Sequence, residues 1–265
     1  MVYVARVVPS SGRQAWDDWA QVDPLWAIMT DPDKLHGQWD LDEFFRTGQA
    51  TIDAVMVEAH KLGVPAESHR AVDFGCGVGR LTRAISTHFD HTCGLDVAPT
   101  MITEARRLNS EIPGCEFAVQ DGDDLSRFVD GSVDFLCCLL VLQHIPSRPA
   151  IERYLREFVR ILAPAGLAII QLPGSVAAPV PPTTLRARLA LRRRFTGVLR
   201  RVGASPKFLY DRLGWTPDMP MSAIARDQTV AIFEGAGGTV LRATGPTNEP
   251  GGVESFYYYV TVQPA

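Results

Sequence analysis

This chain predicts an α/β fold, a mainly parallel sheet with helices on both faces, and three features predict it. Short apolar runs alternate with stretches whose apolar residues recur at helical spacing. A strand-like run over 71–74 ends in three alternate glycines, Gly75, Gly77 and Gly79, and a helical pattern begins near Leu81. A later run, Val133 to Leu142, is apolar on both faces, as a central parallel strand should be.

The chain has 265 residues, 46% hydrophobic and 21% charged, with a net charge of −4. Such a composition suits a globular protein with ample core and argues against a dedicated nucleic-acid binder, which would be basic. Five cysteines, Cys76, Cys93, Cys115, Cys137 and Cys138, form no C-x-x-C pair and read as buried thiols in a reducing compartment. With no secretory-type start and no apolar run of 18, the chain reads as cytoplasmic.

In chain order, a segment over 1–50 carries Trp16, Trp19, Trp26 and Trp39, then Phe44 and Phe45. Its Asp17-Asp18 pair and Asp31-Pro32-Asp33 suggest short helices separated by turns. It is expected to cap the main domain, its rings either anchoring the extension or lining an acceptor pocket. Ile52, Val55, Met56 and Ala59 then predict an amphipathic helix over 51–62. After the glycine turn come a helix from Leu81, a strand over His91–Leu95 and Asp96 at its tip. Pro99 suits a helix start. A third strand, Glu116 to Gln120, runs into Asp121-Gly122-Asp123-Asp124, and Gln143-His144-Ile145-Pro146 closes the fourth. Helix Arg148–Leu162, the turn Pro164-Ala165-Gly166 and a strand over Leu167–Leu172 follow.

Residues 174–221 read as a lid inserted over the acceptor side of the sheet. Seven arginines, Arg186, Arg188, Arg192, Arg193, Arg194, Arg200 and Arg201, interleave there with apolar residues. Such a stretch could bind acidic lipid, recognise an anionic acceptor or face solvent. Residues 222–265 complete the sheet: a helix capped by Ser222, then strands over Thr239–Ala243 and Ser255–Val262, the last antiparallel.

Glycines at such a turn let a ligand lie against bare backbone, and the next helix aims its free N–H groups at it. A dinucleotide fingerprint needs a glycine at the sixth place, which from Gly75 is Arg80 and from Gly77 is Thr82. The pattern instead resembles motif I of the class I S-adenosylmethionine (SAM) methyltransferases, Asp-x-Gly-x-Gly-x-Gly, as Asp73, Gly75, Gly77 and Gly79. The closing helix, Leu-x-Pro-x-Gly and apolar strand resemble that core too, so the resemblance covers 51–173. It implies a Rossmann-like, seven-stranded sheet with SAM as cofactor. Leu25–Gly48 with Leu142–Pro146 is also similar to actinobacterial sugar O-methyltransferases of methylated polysaccharides, which would make the acceptor a methylated mannoside.

An acid at the tip of the second strand can accept both ribose hydroxyls, which is the expected role of Asp96. Met101 is expected against the adenine. Asp121 would hold the adenine amino group, belong to a solvated acidic turn, or join a metal site, which leaves magnesium as an additional candidate. The expected cofactor set is Asp73, Gly75, Cys76, Gly77, Gly79, Asp96, Val97, Met101, Asp121, Gly122 and Leu139, with Phe45 and Gly48 approaching if the cap folds over. His144 is either the general base for a hydroxyl acceptor or a brace of the strand end. Gln143, Trp26, Trp39, Tyr210 and Trp215 are the expected acceptor contacts, with Phe208 a further candidate. The expected acceptor is a small molecule or oligosaccharide, not nucleic acid, and a homodimer is left open. Alternative functions are methylation of a secondary metabolite or quinone, and a non-catalytic SAM-binding module.

Overall fold

The computed structural model describes residues 12–122, 124–176, 194–217, 219, 221–249 and 252–264. The strands are β1 (Arg70–Phe74), β2 (His91–Asp96), β3 (Cys115–Val119), β4 (Val133–Cys138), β5 (Leu162–Val176), β6 (Thr239–Glu249) and β7 (Val253–Thr261). They form one seven-stranded sheet in the order β3-β2-β1-β4-β5-β7-β6. β7 alone runs antiparallel, to both β5 and β6, as expected. Strand order reverses between β1 and β4, so their carboxyl ends open a crevice at that point.

The helices are α1 (Gly12–Val22), α2 (Pro24–Ile28), α3 (Leu41–Leu62), α4 (Arg80–Ile85), α5 (Pro99–Leu108) and α6 (Arg148–Ile161). They continue with α7 (194–201, as far as described), α8 (Pro206–Leu213) and α9 (Arg226–Gly235). Alternation along the strands divides the core by sheet face. Val72, Leu136, Cys138 and Ile170 pack with Ile151, Leu155 and Phe158 of α6 and Phe233 of α9. Ala71, Phe135, Cys137 and Ile169 pack with Ile52, Val55 and Ala59 of α3 and Leu81 and Ile85 of α4.

Several boundaries differ from the sequence reading, each for a local reason. The helix expected from Thr51 begins at Leu41, because the Asp40 carboxylate accepts the Glu43 N–H at 2.9 Å and caps it there. Cap and core therefore share one helix, and the boundary at residue 50 falls inside it. α1 runs straight through Asp17 and Asp18; the break comes at Asp23, whose carboxylate caps α2. β4 stops at Cys138 rather than Leu142, since Leu140 takes a left-handed φ of 63° and residues 142–144 form a 3-10 turn. β6 and the carboxyl end of β5 are longer than expected because each pairs along β7, and β5 begins early because Leu162 pairs with Val133 of β4. Ser222 does not cap α9, which starts at Arg226. Its hydroxyl instead donates to the Ile145 carbonyl at 2.8 Å and its N–H to the Gln143 carbonyl at 2.6 Å. The part of the expected lid over 177–193 lies outside the described residues, and with it Arg186, Arg188, Arg192 and Arg193.

Candidate active site

The turn after β1 folds as the glycines require. Gly75, Gly77 and Gly79 have φ of 80°, 54° and 87°, a region closed to most side chains. Beneath it Asp73, 2% exposed, accepts the Thr82 hydroxyl at 2.6 Å and faces the buried Arg80. Asn109 at the end of α5 donates to the Val78 carbonyl at 3.0 Å, fastening the turn from its far side. Asp96 lies beside it at the tip of β2, where its two oxygens accept N–H groups of Gly77 and Ala98, each at 2.9 Å. Burial lifts the carboxyls of Asp73 and Asp96 to about 6 each, from an ordinary 3.8.

The loop beyond β4 supplies the other wall. Gln171, 1% exposed in β5, accepts the Leu140 N–H at 3.0 Å and holds the left-handed turn that aims residues 141–145 at the crevice. Val141 then lies against Gly75, where a Cβ would collide with its methyls. The Gln143 amide nitrogen is 3.2 Å from His144 Nε2, and Gln143 Oε1 is buried without a hydrogen-bond partner. Swapping the amide lets the pair accommodate a bare or a protonated ring nitrogen, so the loop can hold His144 in either protonation state. The His144 ring meets Trp16 of α1 edge-on, centroids 5.2 Å apart.

Helix α1 crosses this whole edge. Arg13 pairs with Asp121 beyond β3 at 2.8 Å, Asp17 accepts the Thr100 N–H beyond β2 at 3.0 Å, and Trp16 reaches His144 beyond β4. Asp18 pairs with Arg200 of α7 at 2.6 Å. Ile28 of α2 lies on Gly77.

Among the expected cofactor residues, Asp73, Gly75, Cys76, Gly77, Gly79, Asp96 and Val97 come together at the ends of β1 and β2. Cys76 is buried, which pushes its thiol well above the ordinary range. Leu139 leads out of β4 and is half-buried against the α3 side of the core. Met101 is 1% exposed and packs among the cap residues Trp19, Val22 and Trp26. Asp121 is exposed and engaged by Arg13, while the Gly122 carbonyl accepts the Tyr154 hydroxyl at 2.6 Å. Gly48 packs on α4: a Cβ there would clash with the Arg80 carbonyl. Phe45 lies 4.6 Å under the Arg83 guanidinium.

The acceptor contacts fare differently. Trp26 and Trp39, at 8% and 9% exposure, spend their indole N–H groups on the Asp31 and Met29 carbonyls and are cap core, not pocket lining. Tyr210 is buried against Trp19, and Trp215 is half-buried with Arg200 over its ring. Phe208 is 51% exposed on the outer side of α8. Trp16, Asp17, Arg13 and Gln171 were missed as site residues. A lone polar residue in an otherwise apolar strand was the available signal for Gln171. No group of three or more His, Cys, Asp or Glu that could hold a metal gathers among the described residues, so magnesium finds no ligand set there. No described helix is long and apolar enough to cross a membrane.

Residues 72–170, which span β1 to β5 and both walls of the crevice, match the family model of the methyltransferase domain. Over these residues the chain is similar to methyltransferase domains. A trans-aconitate 2-methyltransferase of Methylobacterium nodulans is 30% identical over 145 residues, 53% of this chain and 52% of that one. A ubiquinone biosynthesis O-methyltransferase of Xanthomonas oryzae pv. oryzae is 32% identical over 99 residues, 37% of this chain and 40% of that one. The chain thus aligns with about half the length of such relatives or less. Among solved structures, the magnesium protoporphyrin IX methyltransferase of Synechocystis PCC 6803 with bound SAH superposes with a TM-score of 0.56 at 20% identity, covering 95% of this chain and 96% of that one. The N-methyltransferase NodS of Bradyrhizobium japonicum WM9, also with SAH, gives 0.58 at 13%, covering 95% and 98%. These likenesses extend the methyltransferase fold beyond 72–170 to the flanking elements.

Proposed function

We propose that this protein is a SAM-dependent O-methyltransferase acting on a hydroxyl of a small polar acceptor, most specifically a sugar such as a methylated mannoside. The observation that carries the reading is that the loop bearing His144 lies against the glycine turn, with Val141 on Gly75, while Asp96 at the tip of β2 accepts the Gly77 N–H of the same turn. Two features of the crevice fit the donor. Asp96 keeps lone pairs on both oxygens for a pair of ribose hydroxyls, and Gln143 Oε1 is a buried acceptor without a donor.

Bound SAM would supply an electrophilic methyl on a sulfonium sulfur. The turn at Gly75 and Gly77 would take its amino-acid portion, Asp96 its ribose and the segment at Asp121-Gly122 its adenine. α1 would cover the pair and exclude water. In-line displacement needs little beyond alignment. His144 adds the remaining step, taking the hydroxyl proton as the acceptor oxygen bonds to carbon, with Gln143 bracing the ring before and after. The aromatic surface offered to a sugar is Trp16, since Trp26 and Trp39 lie in the cap core.

A carboxylate acceptor, as the name of the Methylobacterium relative suggests, is the second reading, and it needs no base. Labelled SAM incubated with mannosides, phenols, quinols and polycarboxylates separates the two. For a hydroxyl acceptor, His144→Ala should lower turnover about 10²–10⁴-fold while SAM affinity holds. Undiminished turnover removes His144 as the base, and product from carboxylates alone replaces the hydroxyl reading.

A further inference from the structure

The lid exposes more large apolar side chains than the rest of the described molecule. Eight large hydrophobic residues are exposed among those described, and five stand on or beside α7 and α8. Phe195, Val198 and Val202 are 57%, 54% and 75% exposed. Their spacing of three and seven residues puts them in one stripe down α7. Phe208 is 51% exposed on the outer side of α8. The inner sides are spent: Thr196, Leu209 and Tyr210 are buried, and Arg200 turns inward to Asp18.

Charge flanks the apolar stripe with one sign. Arg194, Arg201, Lys207 and Arg212 are exposed on the same two helices, and the sole acid among residues 194–213, Asp211, is paired to Lys207 at 3.3 Å. This basic island sits in a chain whose net charge is −4. Apolar side chains ringed by arginine and lysine are what a helix needs to lie in the headgroup region, burying the former and pairing the latter with anionic lipid. A second copy, meeting through the same face, would set like charges against each other. Nucleic acid would take the charges and leave the valines in water.

We infer that the outward face of α7 and α8 docks on the surface of an anionic lipid bilayer. The inference rests on the lid alone and stands whatever acceptor the site takes. Because Arg200 and Tyr210 join these helices to α1, a docked face would back directly onto the cap over the crevice.

Sedimentation of the full chain with phosphatidylcholine vesicles, with and without phosphatidylglycerol, tests it. Binding is expected only with phosphatidylglycerol and should fall as salt rises. Arg201→Gln with Arg212→Gln should weaken it about 25-fold, about fivefold for each charge. Phe195→Ser with Val198→Ser should weaken it as well. Both pairs are exposed, so thermal melting should match the parent and exclude misfolding as the cause. Three results overturn the inference: no sedimentation with either vesicle, equal binding to both, or a dimer by light scattering that the Phe195→Ser, Val198→Ser variant alone disperses without any vesicle binding.

Discussion

Cap and lid are both appendages to the same sheet, both rich in large apolar residues, and they use them in opposite ways. In the cap, Trp19 is fully buried, tilted against Trp26 at 5.4 Å, and Trp26, Trp39 and Phe44 join it in a separate small core with Met101 of α5. In the lid, Phe195, Val198 and Val202 point away from the protein. A tally of aromatic and branched residues does not distinguish the two segments. What distinguishes them is the number of charged anchors that tie each to the body. The cap has Arg13 to Asp121 and Asp17 to Thr100. Among the described residues, the lid's ion pairs are Arg200 to Asp18 of the cap and a local one between Lys207 and Asp211.

The widest separation between the regions should appear in stability. Trp19→Ala should cost about 3–5 kcal/mol in urea unfolding, as for other large aromatic truncations in a core, and Phe195→Ala less than about 0.5 kcal/mol. Equal costs would dissolve the contrast. Next comes the joint between cap and core: Gly48→Ala should destabilise by about 1–3 kcal/mol, because its methyl meets the Arg80 backbone rather than a movable side chain. Thermal melting would read it.

A third contrast is electrostatic. Burial, with a contribution from Asp17 of the cap, raises Asp96 to about 6, and burial raises Asp73 to about 6. A carboxyl raised on folding stabilises the fold at low pH, so this contribution should be lost as pH climbs from 3.8 to about 6 and stay flat above. SAM binding has the opposite dependence, since Asp96 must be ionised to accept two hydroxyls. Affinity should fall about tenfold per unit as pH drops below that value. Asp17→Asn should move the midpoint down in calorimetry, and Arg201→Gln on the lid should leave it in place.

The sequence was most readable where backbone geometry alone decides. Three alternate glycines between an apolar run and a helix admit few structures, and Gly75, Gly77 and Gly79 adopted one of them. Asp96 was legible because a strand tip is a position, not a packing arrangement. The cap was not, because whether Trp26 lines a pocket or fills a core depends on which carbonyl its N–H finds, here that of Asp31. Even so, Asp40 three residues before Glu43 was a helix-start signal that would have placed α3 at Leu41. Ser222 shows the converse: a good capping residue used instead to hold the loop of His144.

Ile28 on Gly77 and Val141 on Gly75 have a kinetic corollary. Any molecule that comes to rest on that bare backbone has to take the places of two side chains, one held there by α2 and the other by the loop after β4. Its capture is then paced by how often both swing clear. In stopped-flow mixing the observed rate should climb with ligand concentration and level off, and loosening Arg13 from Asp121 should raise the plateau.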